Sequence, residues 1–302
     1  MALECTHTGC FPALGTWALA GAAPWGYGPV TPRQAVETLD TTLELGCRDF
    51  DTAAMFGDGA VEVFLGQRLA GRSDVSVTTR VGVRSRNHHP LADFEPDGLR
   101  EQVEASAERL MRVPDAVLLH TPPTGVLRHG QAIRALQRVR DAGLTRAIGA
   151  SVFEPEEALM ALATGVDWVC IPYNPLNRKA EFALFEAAAR AGARVQVREV
   201  LHNGLLTDRP RDIGAVSPFD VRREWPPYLL ERLAMARDTI RKTLEDRSVV
   251  ASCMGYALGN EAISRVVAGC RGAQQVRDVF ETPTPLSGAE RQRLEEALYS
   301  SA

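Results

Sequence analysis

Lysine is almost missing from this chain: Lys179 and Lys242 are the only two, and every other basic side chain apart from histidine is an arginine. Chemistry that needs an amine of adjustable pKa therefore has just two candidates, because a guanidinium stays protonated. That preference fits a GC-rich coding sequence, and with it a place in specialised metabolism. Long apolar runs are also lacking. No stretch approaches the ~18 residues of a membrane span, and residues 1–8 have no basic segment leading into an apolar core, so the expected location is cytoplasmic. Charge of one sign is not in excess either. A net charge of -4 gives no broad electrostatic reason to expect nucleic acid or an anionic membrane as partner. Closely spaced cysteines are absent, and Cys5, Cys10, Cys47, Cys170, Cys253 and Cys270 read as buried thiols, with neither a zinc site nor a disulfide framework suggested. His88 and His89 follow Arg84 and Arg86 without an evident third ligand, so no metal is expected there.

What the chain does contain is a repeated rhythm. Its 302 residues, 45% hydrophobic and 24% charged, are enough for a large core. Apolar, β-branched runs recur at 14–19, 47–53, 75–81, 116–120, 147–151, 166–173, 194–200 and 264–270. Segments of helical periodicity lie between them, at 32–45, 97–111, 130–142, 155–163, 180–191 and 228–244. Strands alternating with helices in this number predict a (β/α)8 TIM barrel formed as a single domain over 1–302. Thr31-Pro32 supplies a helix start and Ala191-Gly192 a stop. A doubly wound sheet would need a Gly-rich phosphate turn after an early strand, and residues 21–26 lack that spacing. The proline-rich segment 208–227 predicts a long loop at the C-terminal mouth, and the first dozen residues could plug the bottom.

In a barrel the polar residues at strand C-termini form the site. Here they are Asp51, Arg80, His120, Ser151, Asn174 just past the sixth strand, and Arg198 with Glu199 in the seventh. Asp51 and Arg80 read either as a buried ion pair between strands or as an electrostatic clamp. Trp25, Tyr27 and His202 lie on loops that a barrel would bring to its mouth, and Trp17 could add an apolar wall.

Several segments carry a resemblance. Arg48-Asp49-Phe50-Asp51-Thr52-Ala53 with Phe56-Gly57 and Glu62 is followed by 104–110 and 115–120, then by 142–151, ending in Ile148-Gly149-Ala150-Ser151. Tyr173-Asn174-Pro175-Leu176-Asn177-Arg178, Asn203-Gly204-Leu205-Leu206-Thr207 and Gly269-Cys270-Arg271 with Gln275 complete the order. Together, from about 14 to 280, they resemble the aldo-keto reductases. That resemblance implies a monomeric carbonyl reductase using NADP(H) on a small carbonyl or alcohol, with a Tyr-Lys-Asp-His tetrad. It places Asp51 and His120 in the tetrad but sets Phe56 where the tyrosine belongs and Arg80 where the lysine belongs. It also implies that Ser151, Gly269, Arg271 and Gln275 face the cofactor, while Val152 and Cys170 replace an amide pair and Arg198 replaces a stacking tyrosine.

A phenyl ring has no proton to give. Three readings stay open on these residues. The first is non-hydride acid/base chemistry, such as dehydration, elimination, isomerisation or cyclisation, with His120 as acid/base and Arg80 plus Asp51 as clamp. The second is an NADPH-dependent oxidoreductase using His120, Tyr27 or water as proton donor. The third is a catalytically silent scaffold or cofactor sensor.

Overall fold

Strands and helices alternate from the first described element onward. The structure, a computed structural model, describes residues 12–21, 26–86, 89–208, 217–281 and 284–299. β1 (Pro12–Gly15) leads to α1 (Pro32–Glu44), and β2 (Asp49–Asp51) to α2 (Ala60–Arg68). β3 (Ser76–Val81) passes through a hairpin, β4 (Val83–Arg86) with β5 (His89–Ala92), to α3 (Pro96–Leu110). β6 (Ala116–His120) precedes α4 (Thr124–His129) and α5 (Gln131–Asp141). β7 (Ala147–Ser151) and α6 (Pro155–Ala163) are followed by β8 (Trp168–Pro172) and α7 (Lys179–Ala191). Then come β9 (Arg194–Arg198), α8 (Pro227–Thr243), α9 (Val249–Leu258), β10 (Arg265–Gly269), α10 (Ala273–Phe280) and α11 (Gly288–Tyr299). All strands outside the hairpin pair in parallel and close into one barrel in the order β1-β2-β3-β6-β7-β8-β9-β10. This is the (β/α)8 architecture that the alternation predicts.

Local chemistry sets the boundaries. Thr31 accepts from the Gln34 amide, and the Gln34 side chain accepts from the Thr31 amide, a reciprocal cap that starts α1 with Pro32 in its first turn. Gly192 ends α7 in the left-handed conformation. The first strand ends earlier than its apolar run implies: 14–19 reads as extended, whereas Thr16–Leu19 forms a 3-10 turn. There the Thr16 hydroxyl donates to the Asp51 carbonyl (2.9 Å), which bends the chain across the barrel mouth. Helix α9 leaves no periodic signal because it is buried on nearly all sides.

Strand alternation splits the buried side chains into two sets. Phe50, Val77, Val117, Leu119, Ile148, Val169, Ile171, Val195 and Val197 pack outward against the helices. Ala116, Leu118, Trp168 and Cys170 form a separate cluster inside the barrel. Much of the remaining interior is polar. At its lower end Arg265 donates to Asp49 (2.6 Å) and to the Thr78 hydroxyl (2.8 Å) and lies 4.7 Å over the Trp168 ring. Cys47, Cys170, Cys253 and Cys270 are free and buried, and burial pushes the Cys47 thiol up to about 11. Cys5 and Cys10, like the predicted bottom plug and His88, lie outside the described residues. Among the described residues no helix is long and apolar enough to cross a membrane, and no group of three His, Cys, Asp or Glu stands together to hold a metal.

Gly149 shows how tightly the interior is filled. A Cβ there would lie 2.3 Å from the Trp168 carbonyl oxygen and 2.4 Å from Leu118 Cδ2. Gly149→Ala should therefore cost about 1–3 kcal/mol, read as a lower urea midpoint with an unchanged m-value. An unshifted midpoint would show that β7 and β8 can separate freely.

Candidate functional site

The middle layer of the barrel is built around one ion pair. Arg80 Nη1 meets Asp51 Oδ1 at 2.6 Å and Nη2 meets Oδ2 at 2.9 Å, with both side chains about 95% buried. Gln196 Nε2 donates to the same Asp51 Oδ2 at 2.7 Å, and Arg80 also reaches the Thr52 carbonyl and the Cys170 sulfur. Burial works against the Arg80 charge, but Asp51 outweighs it and holds the guanidinium well above its ordinary value. The fork thus occupies both carboxylate oxygens, and Arg80 Nε is left without a partner. Gln196 is absent from the sequence-derived site, although the alternation Arg194-Val195-Gln196-Val197-Arg198 places it on the inward face.

Above this layer lies a cavity of about 580 Å3, lined by Asp51, Arg80, His120, Ser151, Arg198 and Glu199 from the strand ends. Phe56, Trp17, Tyr27, Phe153 and Trp225 give it aromatic walls. Phe56 is nearly buried and stands edge-on to His120, with ring centroids 6.0 Å apart. His120 Nδ1 is buried without a partner. Burial, helped by the Arg80 and Arg198 charges, pushes its pKa down to about 3, so the imidazole is neutral at physiological pH. A group with so low a pKa is a weak base and carries no ionisable proton near pH 7, which weighs against the acid/base role that the sequence suggests for it.

Arg198 is similarly committed. It pairs with Glu199, donates to the Val152 carbonyl (3.0 Å) and lies 4.4 Å over the Phe153 ring. Its neighbours at the mouth adopt unusual backbone. Glu199, His202 and Asn203 all have positive φ, at 59°, 43° and 55°, a conformation that disfavours side chains and clusters at functional sites. Asn174 braces this loop by donating to the Glu199 carbonyl (2.9 Å), and Arg222 does so at the Asn203 carbonyl (2.9 Å). His202 stacks edge-on against Trp225 (5.9 Å), and burial lowers its pKa against the opposing pull of Glu199.

The predicted mouth segment 208–227 is described from 217 onward. There Asp220 bridges to Tyr27, the Val221 amide donates to the Gly26 carbonyl (3.1 Å), and Val221–Glu224 forms a 3-10 turn. Arg222, 1% exposed, is bound by Asp220. Nothing in the sequence marks Asp220, Arg222 or Trp225, because their neighbours are contributed by distant loops. Trp25 lies outside the described residues.

The residues that could hold a nicotinamide dinucleotide meet on the same cavity. Gly269, Arg271 and Gln275 line one side, where α10 begins, and the Gln275 amide oxygen accepts from the Arg271 backbone (2.9 Å). A helix start and a guanidinium together suit phosphate. Ser151 is the polar side chain at the opposite, strand-end position. Cys170 and Val152 contribute nothing there, since Cys170 is sealed inside the barrel and Val152 packs into the outer core. The set fits the dinucleotide through its phosphate end and through Ser151.

Known proteins share this chain's sequence pattern and its fold. The sequence pattern of the Aldo/keto reductase family matches residues 13–298. L-galactose dehydrogenase of Arabidopsis thaliana is 26% identical over 293 residues, covering 91% of this chain and 87% of the plant protein. Glycerol dehydrogenase of Gluconobacter oxydans has a solved structure similar at TM-score 0.79 and 27% identity, covering 95% of this chain and 91% of that one. The holo form of an aldo-keto reductase from Bacillus halodurans is similar at TM-score 0.78 and 25% identity, with the same coverage.

Two outcomes follow from the buried charges. Asp51→Asn strands the Arg80 cation, and urea unfolding should show a loss of about 3–5 kcal/mol; a loss below about 1 kcal/mol would mean that the fork is dispensable. His120 is neutral in the native state at a pH where an unfolded histidine, near its ordinary 6.5, binds a proton. Its contribution is complete above about pH 6.5 and lost as pH falls towards 3, at up to about 1.4 kcal/mol per unit. His202 adds in the same direction. His120→Asn should flatten the decline in urea midpoint between pH 6.5 and 4.5, and an unchanged slope would contradict the buried neutral imidazole.

Proposed function

This chain belongs to the aldo/keto reductase family, and we propose that it is an NADP(H)-linked oxidoreductase of a small carbonyl or alcohol substrate. In this reading residues 1–302 form one cytoplasmic, monomeric catalytic domain. The observation that carries the proposal is the neutral His120, its Nδ1 buried without a partner, standing in the field of the Arg80 and Arg198 guanidinium charges. A neutral imidazole can donate a hydrogen bond to an oxygen on which negative charge develops, and the Arg80 and Arg198 charges favour that oxyanion.

Elimination, dehydration and isomerisation need a base for a carbon-bound proton. The carboxylates and imidazoles among the described residues lining the cavity are poorly suited, and burial makes His202 less basic. Asp51 is held by Arg80 and Gln196, Glu199 is paired with Arg198, and His120 is too weakly basic. Carbonyl reduction needs no such base. When bound, the nicotinamide cofactor supplies the hydride; Arg271, Gln275 and the start of α10 would hold its phosphates, and Ser151 its carboxamide. The aromatic walls exclude water and favour a substrate with an apolar body.

NADPH titration followed by protein fluorescence tests the reading, since Trp17 lines the cavity. Binding is expected in the micromolar range, with NADPH consumption in the presence of aryl aldehydes. His120→Ala should lower kcat by about 10²–10³-fold and leave the NADPH Kd unchanged. Absence of binding at millimolar NADPH would sink the proposal.

A further inference from the structure

Carbonyl reduction leaves an oxygen that must gain a proton, and the cavity floor has no ready donor. Phe56 has no exchangeable proton, His120 is already neutral, and Arg80 is locked on Asp51. Of the described residues lining the cavity, one carries a phenol: Tyr27, on the loop after β1. We propose that Tyr27 is the general acid of this site, with Arg222 stabilising its phenolate, an assignment that rests on the oxidoreductase reading above.

The surroundings of Tyr27 are built in a way that packing alone does not require. Its hydroxyl donates to Asn203 Oδ1 at 2.7 Å, and Arg222 Cζ lies over its ring, 4.6 Å from the centroid. Arg222 is itself immobilised. Its Nε and Nη2 donate to Asp220 at 2.8 and 2.5 Å, and its Nη1 donates to the Asn203 carbonyl at 2.9 Å. The Asp220 carboxylate tempers the charge at Nε and Nη2, while Cζ stands over the ring of the phenol. Arg271 adds a second cation through a hydrogen bond to the Tyr27 carbonyl, and Trp17 flanks the ring with centroids 4.9 Å apart. Burying a charged pair in a mouth loop is costly, and apolar residues would fill the same volume. A phenylalanine would stack as well as this tyrosine does; only the hydroxyl brings an exchangeable proton.

The step balances as follows. The carbonyl carbon would gain the hydride that a bound dihydronicotinamide supplies, the C=O π pair would move onto oxygen, and that oxygen would take the Tyr27 Oη proton. The phenolate left beside Arg222 is stabilised by the nearby cation and regains a proton from water. Asn203 orients the hydroxyl until the substrate oxygen replaces it as acceptor.

Tyr27→Phe keeps the ring and its stacking. In NADPH-driven reduction of benzaldehyde it should lower kcat by about 10²-fold or more and abolish the alkaline limb of the pH-rate profile, with the NADPH Kd unchanged. A second readout needs no turnover: NMR titration of protein labelled at tyrosine Cζ. Burial pushes Tyr173 up to about 12 and also raises Tyr256 and Tyr299. The resonance missing in Tyr27→Phe should titrate below about 10, the ordinary phenol value. It should move upward in the charge-balanced double variant Asp220→Asn with Arg222→Met. Titration at or above about 10 in the wild type overturns the assignment, as does turnover indifferent to Tyr27→Phe. A low-titrating Tyr27 in a protein that does not bind NADPH overturns the oxidoreductase reading instead.

Discussion

The Asp51–Arg80 fork is the interaction on which the interior depends. A lysine at position 80 would offer one point charge on a flexible stem, leaving part of the carboxylate free. The arginine occupies both oxygens at once and brings β2 and β3 into a fixed relation, with Gln196 reaching across from β9 to the same carboxylate. Breaking such a pair is far more harmful than never having it, because the surviving charge stays buried. The layer below repeats the logic, with Arg265 bound to Asp49 and covered by Trp168. Two arginine–aspartate pairs share this barrel's interior with Leu118, Trp168 and Cys170, where many barrels are filled by branched aliphatic side chains.

That choice reaches upward to His120. A guanidinium that cannot lose its proton keeps positive charge beneath the imidazole, Arg198 adds to it, and burial removes the water that would otherwise solvate an imidazolium. The floor is therefore rigid, cationic in its field and poor in mobile protons. Such a surface can stabilise an oxyanion but has little with which to move a proton. Arg80, which cannot give up its proton, and Phe56, which has none to give, thus act in the same direction, although Phe56 touches His120 through its ring edge alone.

Much of this was legible in the residues. Strand rhythm located the barrel, and polar residues at the ends of apolar runs located Asp51, Arg80, His120, Ser151 and Arg198. The pairing of Asp51 with Arg80 was one of two readings open from sequence, and the ion pair is what forms. Other features were hidden for physical reasons. Thr16–Leu19 is apolar enough to read as strand, and its turn depends on a hydrogen bond to Asp51, 35 residues away. Gln196 was visible as an inward position but has no meaning without its partner on β2. The cluster of Tyr27, Asn203, Asp220 and Arg222 joins three loops, so no local pattern announces it. The low basicity of His120 depends on burial and on two distant charges, neither of which is a property of the segment that carries it.

The two ends of the cavity differ in what they can change. Floor residues are tied into strands and into each other, so substitution there disturbs the barrel. Mouth residues sit on segments that already hold Glu199, His202 and Asn203 in left-handed backbone, fixed by hydrogen bonds from Asn174 and Arg222. On the reading proposed here, oxyanion stabilisation stays on the floor and the proton moves to the mouth, where a phenol can be placed against a cation without unpairing Asp51. The same separation explains why a fully buried arginine stands in a loop that could otherwise close with apolar contacts. Its charge is held by Asp220 and stands over the ring of the one described phenol lining the cavity.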